Sequence, residues 1–402
     1  MSIAELENSI LKGEVTTPPS KSAAHRALIC SFLAGAGEVK GIIDSADMKA
    51  TVGALEALKN GDDVINCGES GSTLRFIIPI AAALGKSVCF TGEGRLPERP
   101  VGEYIPLLEA HGVKCKSNGY LPLEISGKLS GGTFEIRGDI SSQYITGLLL
   151  ALPLLKEEGR IILTTPLQSK PYVDMTIAVL KEYGISIIEK ENLYIIPANQ
   201  SFKPCDFTVE GDWSQAAFFL AAGAVNGDIS VLGLDMNSAQ GDKEIVNILK
   251  RFGADIELSK NAVRAKKSEL FGIEIDAENI PDMVPALAVV AANAKGKTVI
   301  KNIQRLRIKE SDRVESIVSN LKKAGVKAGA TENEIIVEGS KIKAAQLDGF
   351  NDHRIVMAFS VLALTADGKT TITDALSINK SYPRFFEDYN SLGGRANVID
   401  NR

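Results

Sequence analysis

Lys21, Ser22 and Arg26 stand together in TPPSKSAAHRAL, just ahead of an apolar run. Gly71, Ser72, Thr73 and Arg75 repeat the combination in GESGSTLRF, and Asn351, Asp352 and Arg354 repeat it in GFNDHRIVMAF. Each segment reads as a helix start, where unpaired N–H groups and a partial positive charge suit an anion. A cation there has the wrong sign for the helix itself. Three such cases point to bound phosphate or carboxylate. Taken singly, each is as well read as ordinary capping, with Ser22, Ser72 or Asp352 satisfying backbone donors. GDISSQYITG places Ser141, Ser142 and Gln143 at a similar start without a cation.

RLRIKESDRVES holds Arg305, Arg307, Lys309, Glu310 and Arg313 beside another expected helix start, with Asp312 and Glu315 at capping-box spacing. A solvated charged turn is the common fate of such a run. Lys309 and Arg313, four apart, can instead point two cations at one anion. Arg95 and Arg99 lie on the Gly/Pro-rich stretch GEGRLPERP, and Lys380 lies in SINKSYPRFF; neither segment is informative by itself. Asp282 opens the apolar segment PDMVPALAVV, and Glu310 sits among cations. They read either as a helix cap and an ion-pair partner, or as acid/base groups beside an anion site.

These groups need a frame, and the chain is long enough to build two. Its 402 residues exceed one ordinary core. Hydrophobic residues make up 45% and charged residues 24%, as in globular proteins generally. A net charge of −5 argues against general nucleic-acid binding, which needs surplus cations. Cys30, Cys67, Cys89, Cys115 and Cys205 show no metal-ligand spacing and read as reduced thiols of a cytoplasmic protein. With three scattered histidines, no metal site is expected. MSIAELENSI has no leader character, and the longest apolar runs fall short of the roughly 20 residues of a membrane span.

A repeat runs through the chain: amphipathic helix, glycine, strand, turn, strand. Its glycines are Gly112, Gly184, Gly253 and Gly325, spaced by about 70 residues, as in repeat architectures. Each follows a helix, where a left-handed residue costs least as glycine. ATVGALEALKNG and RFFEDYNSLGGRANVI resemble shortened copies at the two ends. Between the copies lie six more apolar helices, apolar nearly all round and therefore buried. The pattern predicts an α/β chain of six units in two lobes of three: residues 20–209, and residues 1–19 plus 210–402. The first residues would form a strand pairing with the later half. The segments before PPSKS and GDWS would form a two-stranded hinge.

At this point the motifs resemble a family. PPSKSAAHRAL, GESGSTLRF, TGEGRLPERP, SSQYITG, SKPYVDMT, VEGDWSQAAFFLAAGA, IPDMVPALA, LRIKESDR, FNDHRIVMAF and NKSYPRFF occur in the order seen in 5-enolpyruvylshikimate-3-phosphate synthases. The resemblance implies a two-domain inverse α/β barrel, each domain three βαβαββ repeats, with the substrates bound between them and the domains closing to expel water. It implies transfer of the enolpyruvyl group of phosphoenolpyruvate to shikimate 3-phosphate by a cytoplasmic monomer, without cofactor or metal. It assigns Lys21, Ser22, Arg26, Ser141, Ser142, Gln143, Ser169, Tyr172, Asp282 and Lys309 to shikimate 3-phosphate. Lys21, Gly71, Arg99, Gln143, Arg313, Arg354 and Lys380 would hold phosphoenolpyruvate. Asp282 would be the base on the 5-hydroxyl and Glu310 the acid at the methylene carbon, with Lys21 sharing proton transfer. Glu69-Ser70 and Arg305 depart from common family forms, which carry Asn-Ala and Asn there.

Two other readings compete. UDP-N-acetylglucosamine enolpyruvyl transferases share fold and donor but usually carry a reactive Cys where Gly94 stands here, and Asn where Ser22 stands. A non-catalytic anion-binding protein would need the helix-end cations but neither Asp282 nor Glu310.

Overall fold

The computed structural model describes residues 2–400; residues 1, 401 and 402, the outer ends of the expected second lobe, lie outside them. Ser20–Val209 form one compact unit, and the described residues up to Pro19 and from Glu210 form another.

The first unit contains α1 (Lys21–Ala34), α2 (Ala46–Asn60), α3 (Gly71–Ala83), α4 (Tyr104–Ala110), α5 (Ser142–Ala151) and α6 (Lys170–Glu182). The second contains α7 (Trp213–Asn226), α8 (Ile245–Phe252), α9 (Val284–Ala292), α10 (Arg313–Lys323), α11 (His353–Ala363) and α12 (Phe385–Ser391). The helices alternate in character. Every residue of α7, α9 and α11 is buried, and α3 is nearly so, whereas α8 buries one face through Ile245, Ile248, Leu249 and Phe252. All-round apolar helices belong in the core and amphipathic ones at its surface. The chain after α2, α4, α6, α8, α10 and α12 passes through Gly61, Gly112, Gly184, Gly253, Gly325 and Gly393, all at φ between +77° and +99°. A side chain at these angles would strain the backbone, so glycine ends each outer helix.

Among the described strands, five four-stranded sheets share one pattern, a parallel pair extended by an antiparallel pair, which is a hairpin in four of them. Val64–Asn66 pairs parallel with Val88–Thr91, which is then followed by the hairpin strands Leu123–Gly127 and Val113–Lys116. The sheets are separate, and none of the described strands closes a barrel. The sixth repeat is the short copy read from ATVGALEALKNG. Val39–Lys40 pairs only with Phe207–Thr208, and the chain leaves α2 through Gly61 straight into the next sheet. It carries no hairpin after α2.

Ser2–Leu6 pairs antiparallel with both Thr370–Thr373 and Ala396–Asp400, and Leu11–Thr16 pairs parallel with Gly227–Leu232. The opening strands thus complete repeats whose remainder comes after residue 209. Pro19 bridges Gly211, and Asp212 N–H donates to Pro18 at 2.9 Å, forming the expected pairing before PPSKS and GDWS. Each unit has its own core, around Phe76, Phe90, Phe134 and Leu149 in one and around Trp213, Phe218, Leu287 and Phe359 in the other. No described helix is long and apolar enough to cross a membrane.

Candidate functional site

The expected residues fall into two groups, one in each unit. In Ser20–Val209 they collect at the starts of α1, α3, α5 and α6. The caps differ from the motif reading. Ser20, Ser70 and Ser141 accept from Ala23, Thr73 and Gln143 N–H, so Ser22 and Ser72 sit in first turns and are not caps. Ser169 precedes α6 at φ +57°, is buried, and does not cap it. A non-glycine residue held in that region marks a place where surrounding structure dictates the backbone.

Lys21 Nζ lies 2.6 Å from Asp47 Oδ2. Arg26 is buried and well bonded: Nε donates to Thr176 Oγ1 at 2.8 Å, and the terminal nitrogens to the Ser22 and Tyr172 carbonyls at 2.6 and 2.9 Å. Burial pushes its guanidinium down to about 10. Arg26 therefore ties α1 to α5 and α6. Arg75 works the same way. It donates to Gln143 Oε1 at 3.0 Å and to the Pro100 carbonyl at 2.9 Å, while Gln143 Nε2 donates to Ser72 at 3.0 Å. The cation read from sequence as a sign of bound anion instead holds Gln143 and the Arg99–Pro100 segment to α3. Arg99 lies against Gly71: a Cβ there would come within 2.6–2.8 Å of three guanidinium atoms. Gly71 has ordinary helical φ, so glycine is required for space and not for backbone freedom.

In the other unit the starts of α7, α9, α10 and α11 converge on one ion cluster. Asp282 lies in the 3-10 turn Pro281–Met283, and neither that turn nor α9 has a side-chain cap. Its carboxylate faces cations: Arg313 Nη1 at 2.9 Å, Arg354 Nη2 at 3.2 Å and Lys309 Nζ at 3.5 Å. Lys309 and Arg313 do converge on one anion, and that anion is Asp282. Arg313 Nη2 also meets Glu310 at 2.7 Å, and its Nε meets Asp352 at 2.8 Å. Arg354 also donates to Ser214 Oγ on α7 at 3.0 Å. Lys380, largely buried, donates to the Asn351 carbonyl at 2.6 Å. That carbonyl is aimed by a loop in which Phe350 and Asn351 both have positive φ. Arg305 donates to the Glu278 carbonyl.

The cluster sets three carboxylates, Asp282, Glu310 and Asp352, against three cations, Lys309, Arg313 and Arg354. Charges this poorly hydrated persist only when paired. Burial opposes the Arg313 charge, but Asp352, Glu310 and Asp282 together raise it above the ordinary arginine value. Burial alone would raise Asp352; Arg313 more than offsets this and holds it below the usual carboxylate value. Burial lowers the Lys309 ammonium, with Arg313 adding to the fall and Asp282 resisting it. Such a lysine lies closer to neutrality than a surface one and so nearer to proton exchange.

Sequence reasoning missed Asp47 and gave Asp352 only a cap. Nothing local marks either role, because Lys21–Asp47 and Arg313–Asp352 join residues 26 and 39 apart. No metal-ligating cluster of three or more His, Cys, Asp or Glu occurs among the described residues.

A family model described as EPSP synthase (3-phosphoshikimate 1-carboxyvinyltransferase) matches residues 7–62 and 59–389. The 3-phosphoshikimate 1-carboxyvinyltransferase of Clostridium novyi (strain NT) is 42% identical, covering 98% of this chain and 97% of that protein. The protein of that name from Methanococcus maripaludis (strain DSM 14266) is 39% identical over 97% of this chain and 98% of its own. Among solved structures, an EPSP synthase from Acinetobacter baumannii superposes with TM-score 0.81 at 25% identity, covering 99% of this chain and all of that one. The enolpyruvyl transferase NikO from Streptomyces tendae superposes at 0.80 with 16% identity, covering 99% of each chain, a likeness of fold alone.

Proposed function

Because the chain belongs to the EPSP synthase family, we propose that it transfers the enolpyruvyl group of phosphoenolpyruvate to the 5-hydroxyl of shikimate 3-phosphate and releases phosphate. The observation that carries the reading is the state of Asp282. A carboxylate at a helix start ordinarily caps it; this one is turned to Lys309, Arg313 and Arg354, beside Glu310.

In this reading Lys21, Gly71, Arg99, Gln143, Arg313, Arg354 and Lys380 hold phosphoenolpyruvate. Ser22, Arg26, Ser141, Ser142, Ser169 and Tyr172 hold shikimate 3-phosphate, together with Asp282 and Lys309. The arginines are already paired, so the incoming carboxylate must take them over. It can, since a planar fork binds either carboxylate equally well. The exchange releases Asp282 to accept the proton of the 5-hydroxyl. The hydroxyl oxygen attacks C2 of phosphoenolpyruvate, and Glu310 delivers a proton to C3, with Lys21 sharing proton transfer. The resulting tetrahedral ketal phosphate then loses phosphate from C2, which leaves with the proton that Asp282 took, while the Glu310 carboxylate takes back a proton from C3, restoring the double bond. Fixed cations stabilise the charge that builds on the departing phosphate.

The test is phosphate release with phosphoenolpyruvate and each acceptor in turn. Shikimate 3-phosphate should support turnover and UDP-N-acetylglucosamine should not; the reverse pattern overturns the reading. Asp282→Ala and Glu310→Ala should each cut kcat by about a hundredfold or more while ligand binding persists. Unchanged turnover in either would remove that residue's acid/base role.

A further inference from the structure

Lys21 is flexible by nature, with its ammonium on a freely rotating four-carbon stem. Here its ammonium is fixed at 2.6 Å from Asp47 Oδ2, with the two side chains only 13% and 12% exposed. Asp47 stands in the first turn of α2, whose cap is Ser45. One turn further along both helices, His25 Nδ1 lies 2.7 Å from Thr51 Oγ1. Thr51 Oγ1 is also 2.7 Å from Thr73 Oγ1, which donates to Ser70 Oγ, the cap of α3, at 2.8 Å. Residues 21 and 25 on α1 thus face residues 47 and 51 on α2, two rungs one helical turn apart.

The inner rung is buried and uncharged. Burial, followed by the Lys21 and Arg26 charges, keeps His25 well below the usual histidine value and therefore neutral. It sets α2 rigidly against α1 and the start of α3. The outer rung is then asymmetric: the Asp47 carboxylate sits on a short side chain on a fixed helix, and the lysine is the part that must be held.

We infer that Asp47 is the positioning residue for Lys21, holding its ammonium at the one place from which it serves the transfer. The inference rests on the function proposed above. Asp47→Asn keeps the shape and removes the charge. It should lower kcat by about tenfold or more, the usual scale for a misplaced group, with KM for both substrates changed by less than about threefold. Groups acting as a unit are non-additive. In a Lys21→Met background, Asp47→Asn should therefore change the residual kcat by less than about twofold. If Asp47 merely supported the fold, its loss would multiply equally in both backgrounds, and that result overturns the inference. Turnover of the single variant within about twofold of wild type would also overturn it. Should Asp47→Asn fail to fold, Asp47→Glu, which retains the charge and displaces it by one methylene, carries the same comparison. A wild-type chain inactive on both substrates removes the proposed function as well; an active one with indifferent Asp47 removes this inference alone.

Discussion

Asp352 makes more hydrogen bonds than a helix cap requires. It accepts Arg354 N–H at 3.0 Å, Ser311 Oγ at 3.0 Å and Arg313 Nε at 2.8 Å, and it is fully buried with Arg313 only 1% exposed. Breaking a buried pair from one side leaves an uncompensated charge. Asp352→Asn should thus cost about 3–5 kcal/mol of stability in denaturant titrations, and it should raise KM for phosphoenolpyruvate through a loosened Arg313. A loss under about 1 kcal/mol would mean that Asp282 and Glu310 suffice to hold the arginine. Gly71 makes the opposite case. In Gly71→Ala the new methyl meets the movable end of Arg99, so the fold should survive while that guanidinium is displaced. KM for phosphoenolpyruvate should rise roughly tenfold to a hundredfold, with an unfolding midpoint close to wild type.

Among the helices, α1, α2 and α3 share a buried polar line from His25 through Thr51 and Thr73 to Ser70, and it gives the fold a pH dependence. The His25 pKa in the folded chain is depressed. Between that value and the unfolded value of about 6.5, the unfolded chain binds the extra proton, so acidification favours unfolding. Stability should fall as pH drops below about 6.5, by at most about 1.4 kcal/mol per pH unit from this group. His25→Gln should flatten that slope. An unaltered slope would place the acid sensitivity elsewhere, and Asp352, whose folded pKa is also depressed, contributes only nearer pH 4. The helices themselves were legible because their causes are local. Apolar character nearly all round marked α7, α9 and α11 as buried, and a glycine closes each outer helix. The exact caps escaped: Ser20 and Ser70 do the work that the motif reading gave to Ser22 and Ser72. Arg26 and Arg75 escaped too, since their partners at Thr176 and Gln143 lie 150 and 68 residues away. No periodicity reports contacts at that range. The missing hairpin after α2 was visible only as a short copy of the repeat.

At the scale of the whole chain, the covalent order and the folding units disagree. Ser2–Leu6 lies inside a sheet, hydrogen-bonded on one side to Thr370–Thr373 and on the other to Ala396–Asp400, and Ala4 and Leu6 are fully buried. Without it the last repeat has a parallel pair at one edge, an isolated strand at the other, and unpaired backbone groups on both sides of the gap. Ser20–Val209 takes no strand from outside its own span: its sheets are built from Val64–Gly127, Gly132–Ile196 and the pair Val39–Lys40 with Phe207–Thr208. Deleting residues 1–9 should therefore unfold one unit and spare the other. Hydrogen exchange by residue is the measurement. Amides of Ile77–Ala82 and Leu148–Leu150 should keep their protection, while those of Ala216–Leu220 and Ala286–Val290 lose theirs. The full-length chain should protect all four segments. Uniform loss on deletion would show that the first unit depends on the second for its stability. Uniform retention would show that Thr370–Thr373 and Ala396–Asp400 hold their places without the strand between them.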